Sequence, residues 1–335
     1  MAGTPPEILS ELRAAARKFV VREVRPVATR MDREDWFPRE LFRKMGEQGL
    51  LAPTLPTEFG GLGLDYAAQA VILEEIARSS PALALSVGAH SNLLADNLYR
   101  NGTAAQRSSF LPELASGEAI GALALTEPGA GSDAVGLQTR AERKGERYRL
   151  TGTKQFITNG PVADTLLVYA KSAAERGARG ITAFLLRKGT PGFSVSRSLD
   201  KMGMRGSPTG ELAFEGCELG ADRILGREHE GVGVMMGGLN VERAVLAAIP
   251  VGIIAECLEL ATEYARQREQ FGQKIGRFEL IQEKLANMYV ALEASRGLLE
   301  RALGAVQADT RSARASSAAL TFASESSTRV ALEAI

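Results

Sequence analysis

The sequence predicts an α+β fold in three parts: an N-terminal helical domain over residues 1–118, a middle antiparallel β-domain over 119–226 and a C-terminal helical bundle over 227–335. In the first third, apolar residues recur at helical spacing. The middle third is rich in Gly and Thr and carries short β-type runs, and the last third returns to helical patterns of Ala, Leu and Glu. Because the short strands are separated by glycine turns and not by helices, the middle part is expected to be a sandwich or barrel.

The first helix is predicted after Pro5 and Pro6, where Leu9, Leu12 and Phe19 share one face, and Pro26 is expected to kink or end it. Glycines and prolines over 53–64 indicate a loop. Gly49 and Gly102 stand where helix C-caps are expected. The other helices predicted in this part cover residues 38–48, 66–79 and 81–101.

The middle part contains four predicted strands, over 147–150, 165–169, 181–186 and 212–214, with turn signals between them. The last third contains three long helices with apolar stripes, over 232–268, 280–308 and 313–335. The helical pattern is still running at Ile335 without Gly, Pro or a capping residue, so the bundle is expected to be incomplete at its C-terminus.

Composition excludes several classes of function. Lys plus Arg and Asp plus Glu both number 40, so nothing in the charge calls for nucleic acid or an anionic membrane. The two cysteines and two histidines match no disulfide or metal spacing, which indicates a reducing compartment and no metal site. No run of the sequence approaches ~18 apolar residues. A soluble protein of a bacterial cytoplasm, or of the mitochondrial matrix after processing, is therefore expected.

Two stretches of the middle part have the composition of a ligand site. Over 123–133, Gly129 and Gly131 let a backbone approach a ligand closely, and successive amides can hold a phosphate, although a plain turn is equally compatible. Over 154–160, Phe156 could cover an aromatic ring and Thr158 could donate a hydrogen bond. Taken alone, a strand ending in an Asn159–Gly160 turn is the better interpretation of this second stretch.

Two further stretches lie in the last third. Glu242 stands among apolar residues near the start of a helix, where desolvation would raise its pKa toward that of a general base, while a solvated Glu beside Arg243 is the commoner situation. Arg268 and Phe271 share a face if the helix continues to Gly272, and such a basic end with an aromatic could clamp a phosphate-bearing cofactor. A charged helix C-terminus explains the same residues more simply.

In this order, the four stretches resemble the acyl-CoA dehydrogenase family over nearly the whole chain. The resemblance is carried by residues 126–133 together with 157–160 and 268–275, and the stretches 88–93, 179–184 and 199–206 are similar to its isovaleryl-CoA branch. It implies FAD as cofactor, an electron-transferring flavoprotein as partner and a homotetramer or dimer of dimers. A base would remove the α-proton of an acyl thioester while the β-hydrogen leaves as hydride to the flavin, giving a trans-2-enoyl thioester.

The resemblance also implies roles for individual residues. Glu242 would be the catalytic base. The residues that would contact FAD are Leu123, Leu125, Thr126, Gly131, Ser132, Phe156, Ile157, Thr158, Arg268, Phe271 and Glu279, of which Arg268 and Phe271 would reach the FAD of a neighbouring subunit. The residues that would contact the substrate are Ser132, Arg179, Asn240, Arg243 and Leu246.

The chain departs from the isovaleryl branch at four positions, where that branch favours Asp, Tyr, Ser and Gln and this chain has Asn240, Gly233, Ala178 and Glu279. The first three lie on the CoA side. They leave two substrates open: a short branched acyl-CoA, with isovaleryl-CoA the best single guess, or an acyl group on a carrier protein of a biosynthetic pathway. A non-catalytic family member that binds flavin or a partner protein is the alternative of another class.

Overall fold

The computed structural model describes residues 3–310 and 312–335, so the first two residues of the predicted N-terminal domain and Arg311 of the predicted bundle lie outside it. The chain divides into two compact units: residues 1–28, 65–84 and 243–335 form the first, and residues 29–64 and 85–242 form the second. The three-part division predicted above is a division of the sequence, and its boundaries stay a prediction.

The N-terminal helices are α1 (Pro6–Phe19), α2 (Arg25–Glu34), α3 (Arg39–Glu47), α4 (Tyr66–Ala77), α5 (Pro81–Gly88), α6 (Asn97–Asn101) and α7 (Ala104–Ala115). The order of helices, strands and helices confirms the predicted fold class. Pro26 does not end the first helix: a π-helical turn, Val20–Val24, joins α1 to α2 directly before it. A wider turn accommodates the missing amide and the bulk of the proline ring, which would clash in a regular α-helix.

A second π-helical segment, Ala89–Asp96, interrupts the predicted 81–101 helix between α5 and α6. Seven of its eight residues are buried, among them His90, Ser91 and Asn92. Hydrophobic periodicity cannot distinguish a π turn from an α turn over so short a distance. Gly102 follows α6 in an extended conformation rather than the left-handed one. A Cβ there would lie 2.6 Å from the Leu98 carbonyl oxygen, so close packing explains the glycine.

In the first unit, α4 is a core helix. Its apolar residues are buried with two acids, Glu74 and Glu75, which form ion pairs with Arg13. The long C-terminal helices α9 (Ala248–Gln267), α10 (Glu279–Ala308) and α11 (Arg314–Ala334) pack on one another, and α9 also packs on α4. A Cβ at Gly252 of α9 would approach the Glu74 carbonyl oxygen to 2.4 Å, which shows how closely these two backbones meet.

The second unit contains one eight-stranded sheet. Its strands are β1 (Gly121–Ala124), β2 (Arg140–Lys144), β3 (Arg147–Thr158), β4 (Thr165–Lys171), β5 (Ile181–Arg187), β6 (Phe193–Ser198), β7 (Thr209–Gly220) and β8 (Ile224–Leu225). The order is β6-β7-β3-β2-β4-β5-β8, with β1 beside β4. The ring centroids of Tyr148 on β3 and Phe184 on β5 lie only 5.2 Å apart although these strands are not neighbours, so the sheet bends over its own core.

Most strand pairings are antiparallel, as predicted, but β1 runs parallel to β4, and Arg140 of β2 pairs in parallel with Lys171 of β4. The sheet is therefore mixed. The parallel β1–β4 pair is possible because a long excursion through β2 and β3 separates the two strands in the chain, which leaves room for a crossover. Strand pairing over such a distance is not encoded in local patterns.

The predicted 232–268 helix is two helices, α8 (Gly231–Leu246) and α9, which are separated at Ala247. Pro250 explains the break, because it lies in the first turn of α9, where its missing amide costs nothing. Taken together, Gly231–Gln267 is long and apolar enough by length and composition to cross a membrane, which corrects the expectation that no such run exists. Of its most apolar window, 56% is buried, as in the core helix of many globular proteins.

The end of α9 also differs from the prediction. The helix stops at Gln267, and strands β9 (Glu269–Gln270) and β10 (Gln273–Lys274) form a hairpin. Its two-residue turn, Phe271–Gly272, has positive φ at both positions, 52° and 75°, the geometry of a type I′ turn. The prediction that this helix runs to Gly272 is therefore wrong, and the condition under which Arg268 and Phe271 would share a helical face is not met.

Candidate active site

The predicted flavin loop lies against strand β3 and is held there by a buried ion pair. Lys154 Nζ donates to Leu125 O and to Glu127 Oε1, both at 2.9 Å, and the Gln155 amide donates to Thr126 O at 2.8 Å. The structure therefore brings together two stretches, 123–133 and 154–160, that the sequence presents as separate motifs.

Lys154 and Glu127 are both charged in this arrangement. Burial raises the pKa of the Glu127 carboxyl, but the Lys154 ammonium and the backbone amide of Gln138 outweigh it, so the pKa lies below its usual value. Burial lowers the pKa of Lys154 to about 8 against the opposing effect of Glu127. The pair thus remains ionised near neutral pH and fixes the loop backbone without relying on a ligand.

The loop beyond Glu127 is open to a ligand. Glu127 and Ala130 exchange backbone hydrogen bonds of 3.0 and 3.1 Å around an exposed Pro128–Gly129 turn. Gly131 and Ser132 are exposed, and no atom lies within 4 Å of the position that a Cβ at Gly131 would take. This open glycine backbone is compatible with the close approach of a cofactor phosphate.

Phe156 is the most conspicuous side chain beside this loop. It lies at a β-bulge where the register of β3 against β7 shifts, its φ is +59°, and 61% of its surface is exposed. A bulky residue in left-handed conformation with an exposed ring is costly and calls for a functional explanation. A flat aromatic face presented to solvent is suited to covering a flavin ring.

The neighbours of Phe156 divide between the ligand side and the core. Ile157 is packed in the sheet core, so only its backbone can contact a ligand, whereas Thr158 is half-buried. Leu125 is buried, while Leu123 and Thr126 are half-buried. These positions are compatible with the predicted FAD contacts, which stay predictions.

Asn159 ends β3 in the left-handed conformation, with φ of 62°. It is fully buried, and its amide donates to Ser86 O at 2.9 Å and to Gly121 O at 3.1 Å. The residue thereby ties the end of β3 to the start of β1 and to helix α5. The Asn159–Gly160 turn expected from the sequence is thus an internal brace rather than a surface turn.

Glu242 is buried in helix α8, with 5% of its surface exposed. Burial raises the pKa of its carboxyl to about 7; the Asn92 side chain acts against this rise and the Asp96 carboxylate adds to it. Its Oε2 atom has no hydrogen-bond partner among the described residues. A desolvated carboxyl that titrates near neutral pH is the state that a general base requires.

The other substrate residues predicted in the second unit fall into two places. Asn240 is buried in α8, and Ser132 lies on the open loop. Arg179 is exposed in the short 3₁₀ segment before β5 and lines a groove of about 640 Å³. Two of the positions that depart from the isovaleryl branch, Ala178 and Gly233, line the same groove. Arg100, Arg227, His229 and Glu230 are also among the groove residues.

The remaining predicted residues belong to the first unit. Arg243 and Leu246 follow Glu242 in α8 and are half-buried. Arg268 is exposed after α9, and Glu279 is exposed as the first residue of α10. Phe271 is 92% exposed at the tip of the β9–β10 hairpin, with its ring edge-on to Phe278 at 6.1 Å.

Sequence reasoning assigned no role to several residues that build this site: Asn92, Asp96, Glu127, Lys154 and the bracing function of Asn159. A signal existed for the first two. His90, Ser91 and Asn92 form a polar run inside an otherwise apolar helix, and such local conflicts are often functional. The Lys154–Glu127 pair had no comparable signal, because its members lie 27 residues apart.

Comparisons with known proteins identify the family of this chain. Models of the acyl-CoA dehydrogenase N-terminal, middle and C-terminal domains match residues 6–118, 122–217 and 229–335. Isovaleryl-CoA dehydrogenase of Arabidopsis thaliana is 46% identical over 97% of this chain and 80% of its own length. A 2-methylacyl-CoA dehydrogenase of Solanum tuberosum is also 46% identical, over 97% and 79%.

Among solved structures, a prolyl acyl carrier protein oxidase is 32% identical and superimposes with a TM-score of 0.94, covering 99% of this chain and 88% of that one. A helical, β and helical chain with an open glycine loop and a buried carboxylate is the arrangement expected of a flavoprotein dehydrogenase. The three domain matches identify the family within this class. The chain belongs to the acyl-CoA dehydrogenase family, an enzyme family of FAD-dependent oxidoreductases.

Proposed function

We propose that this enzyme dehydrogenates a short branched-chain acyl-CoA across its α and β carbons, with isovaleryl-CoA the best single substrate. The observation that carries the proposal is Glu242, a buried carboxyl whose pKa is raised to about 7 and whose Oε2 atom is unpartnered among the described residues. Curated relatives of equal identity act, by name, on isovaleryl-CoA and on 2-methylacyl-CoA, which supports a short branched acyl chain.

In the proposed reaction, different residues of this chain act on the proton and on the cofactor. Glu242 accepts the α-proton, and its burial keeps water from competing for the base. Phe156 covers the isoalloxazine ring, and the loop held by Lys154 cradles the pyrophosphate. Bound FAD would supply a hydride acceptor for the β-hydrogen. The electrons then pass to an electron-transferring flavoprotein.

The predicted assembly is a homotetramer in which Arg268 and Phe271 reach the cofactor of a neighbouring subunit. The exposed ring of Phe271 at the tip of a short hairpin supports this, because it is accessible to another subunit. Both curated relatives are mitochondrial by name; for this chain we keep a bacterial cytoplasm and a mitochondrial matrix as the two compartments.

A second substrate class, an acyl group on a carrier protein, is favoured by the groove beside Arg179. Gly233 and Ala178 lack the side chains that the isovaleryl branch offers to CoA there, and a phosphopantetheine arm needs fewer nucleotide contacts. A carrier-protein oxidase also has this fold, with a TM-score of 0.94.

Anaerobic flavin bleaching separates the candidates. The purified protein is mixed with isovaleryl-CoA, a 2-methylacyl-CoA and isovaleryl-carrier protein, and the loss of flavin absorbance is followed. Bleaching by isovaleryl-CoA supports the proposal, and bleaching by the carrier form alone contradicts it in favour of the second class. If none of the three thioesters bleaches a flavin-loaded protein, the result contradicts the proposal and favours the non-catalytic class.

A further inference from the structure

Asn92 is a buried polar residue that the reaction described so far does not use. Neither atom of its carboxamide has a hydrogen-bond partner among the described residues, and the same holds for Glu242 Oε2. Asn92 is fully buried, yet it influences the ionisation of Glu242. Unsatisfied buried polar groups are rare in folded proteins and call for an explanation.

The residues beside Asn92 in the π-helical segment are anchored. His90 Nε2–H donates to Leu114 O at 3.0 Å and Nδ1 accepts from the Gly121 amide at 2.9 Å, while the Ser91 hydroxyl donates to Leu51 O. These bonds hold the segment in place from both sides. Asn92 alone of the three keeps its hydrogen-bonding capacity for another group.

A carboxamide suits the chemistry of a base that changes its protonation state. A carboxylate only accepts hydrogen bonds, whereas a carboxylic acid donates one, and an amide side chain can serve both through its NH₂ and its carbonyl oxygen. Glu242 would take up a proton in each turnover under the proposed function. A partner that only donates would lose its bond at that moment.

We propose that Asn92 is the positioning residue of Glu242, donating Nδ2–H to the carboxylate before proton transfer and accepting at Oδ1 from the carboxylic acid after it. Both groups are buried and have atoms without a partner among the described residues, and the Asn92 side chain acts on the ionisation of Glu242 as a hydrogen-bond donor to its carboxylate would. This role rests on the proposed function of Glu242.

Asp96 is the charged group that opposes Asn92. It lies at the end of the same segment and pairs with Arg100 at 2.7 Å, and its charge raises the pKa of Glu242. On α8 itself, Arg243 is the adjacent charged residue. The two side chains on the π segment therefore act on Glu242 in opposite directions.

The test uses Asn92→Leu, which keeps the branched shape of the side chain but removes its donor and acceptor. Asp96→Asn is the matched variant, with the opposite expected effect. The measurement is kcat/KM against pH with the thioester that bleaches the wild-type flavin. Asn92→Leu should lower kcat/KM on the acid side about tenfold, with a smaller loss above about pH 8, because the base ionises later. Asp96→Asn should raise it severalfold on the acid side.

A second readout does not depend on activity. The carboxyl stretch of Glu242 is followed by infrared difference spectroscopy from about pH 5 to about pH 9 and identified by its loss in Glu242→Gln. Asn92→Leu should move the titration of that band to higher pH. An unchanged titration in the folded variant overturns the role of Asn92, even if the enzyme proves inactive on every thioester, so the two proposals fail separately. Asn92→Ala serves the same measurement if Asn92→Leu does not fold.

Discussion

Two carboxylates of the second unit, Glu127 and Glu242, are almost equally buried, with 6% and 5% of their surfaces exposed, but ionise very differently. Glu127 accepts from Lys154 and from the Thr139 amide, and its pKa falls below the usual value despite burial. At Glu242 no cation of the described residues offsets burial, which raises the pKa of its carboxyl to about 7. The charged and hydrogen-bonding partners beside each carboxylate, together with the stronger desolvation of Glu242, account for the difference in ionisation.

The difference fits a structural role for Glu127 and the proposed role of Glu242 as a catalytic base. Burial disfavours a charge in both places, and a paired ammonium with aligned amides reverses that effect at Glu127 alone. The loop needs a permanent charge to stay attached to β3. The base needs a carboxyl that can both hold and release a proton at neutral pH, so it is kept away from such partners.

The largest expected effect comes from breaking the structural pair. Lys154→Met leaves Glu127 buried without its cation, and the free energy of unfolding should fall by about 3–5 kcal/mol. Urea unfolding at neutral pH measures it. The control is Lys144→Met, whose ammonium is exposed and which should change stability by less than about 0.5 kcal/mol. Equal stability of the two variants would contradict the role of Lys154.

The next largest effect is expected at Glu242, the proposed catalytic base. Glu242→Gln keeps the shape but cannot accept the α-proton, so the rate of flavin bleaching should fall by at least ~10²-fold while flavin content is retained. Glu283→Gln, an exposed change on α10, should leave the rate unaltered. A Glu242→Gln enzyme that works at nearly the wild-type rate would place the base elsewhere.

The same substitution should stabilise the protein at alkaline pH. The folded pKa of Glu242, about 7, lies above its reference of 4.5, so the group's contribution to stability is intact below about pH 4.5 and is lost as pH rises toward 7 and beyond. Because glutamine does not ionise, the Glu242→Gln variant does not lose stability in this way as the pH rises. Its advantage over wild type should grow with pH to on the order of 2–3 kcal/mol and disappear in acid. Urea unfolding across pH measures this, and a constant difference would show that Glu242 titrates normally.

The smallest effect is expected at Phe156. Because its ring is largely exposed, Phe156→Ala should barely change the free energy of unfolding but should weaken FAD binding by about 0.5–1.5 kcal/mol through lost stacking. Fluorescence titration of the flavin-free protein measures the affinity. Met202→Ala, a fully exposed change, is the control. Equal affinities would remove Phe156 from the cofactor site.

Local sequence patterns predict most of the fold but only part of the candidate site. Long periodic helices such as α10 and the turn at Gly49 follow from spacing and glycine. The β9–β10 hairpin was missed because its strand residues are polar and fit a helix equally well. The Lys154–Glu127 contact arises from tertiary folding, and the raised pKa of Glu242 depends on burial that no single stretch of sequence displays.

The π-helical segment Ala89–Asp96 also bears on how insertions and deletions would change this site in related proteins. Each of its turns closes over one more residue than an α turn, so a single inserted residue suffices to create it. Deleting one residue there would restore a regular helix and rotate everything beyond it by roughly 100° about the axis. The helix would survive such a deletion, whereas Asn92 and Asp96 would no longer both face α8. Homologues of different length at this point should therefore differ in how they control the proton, even where every other motif is shared.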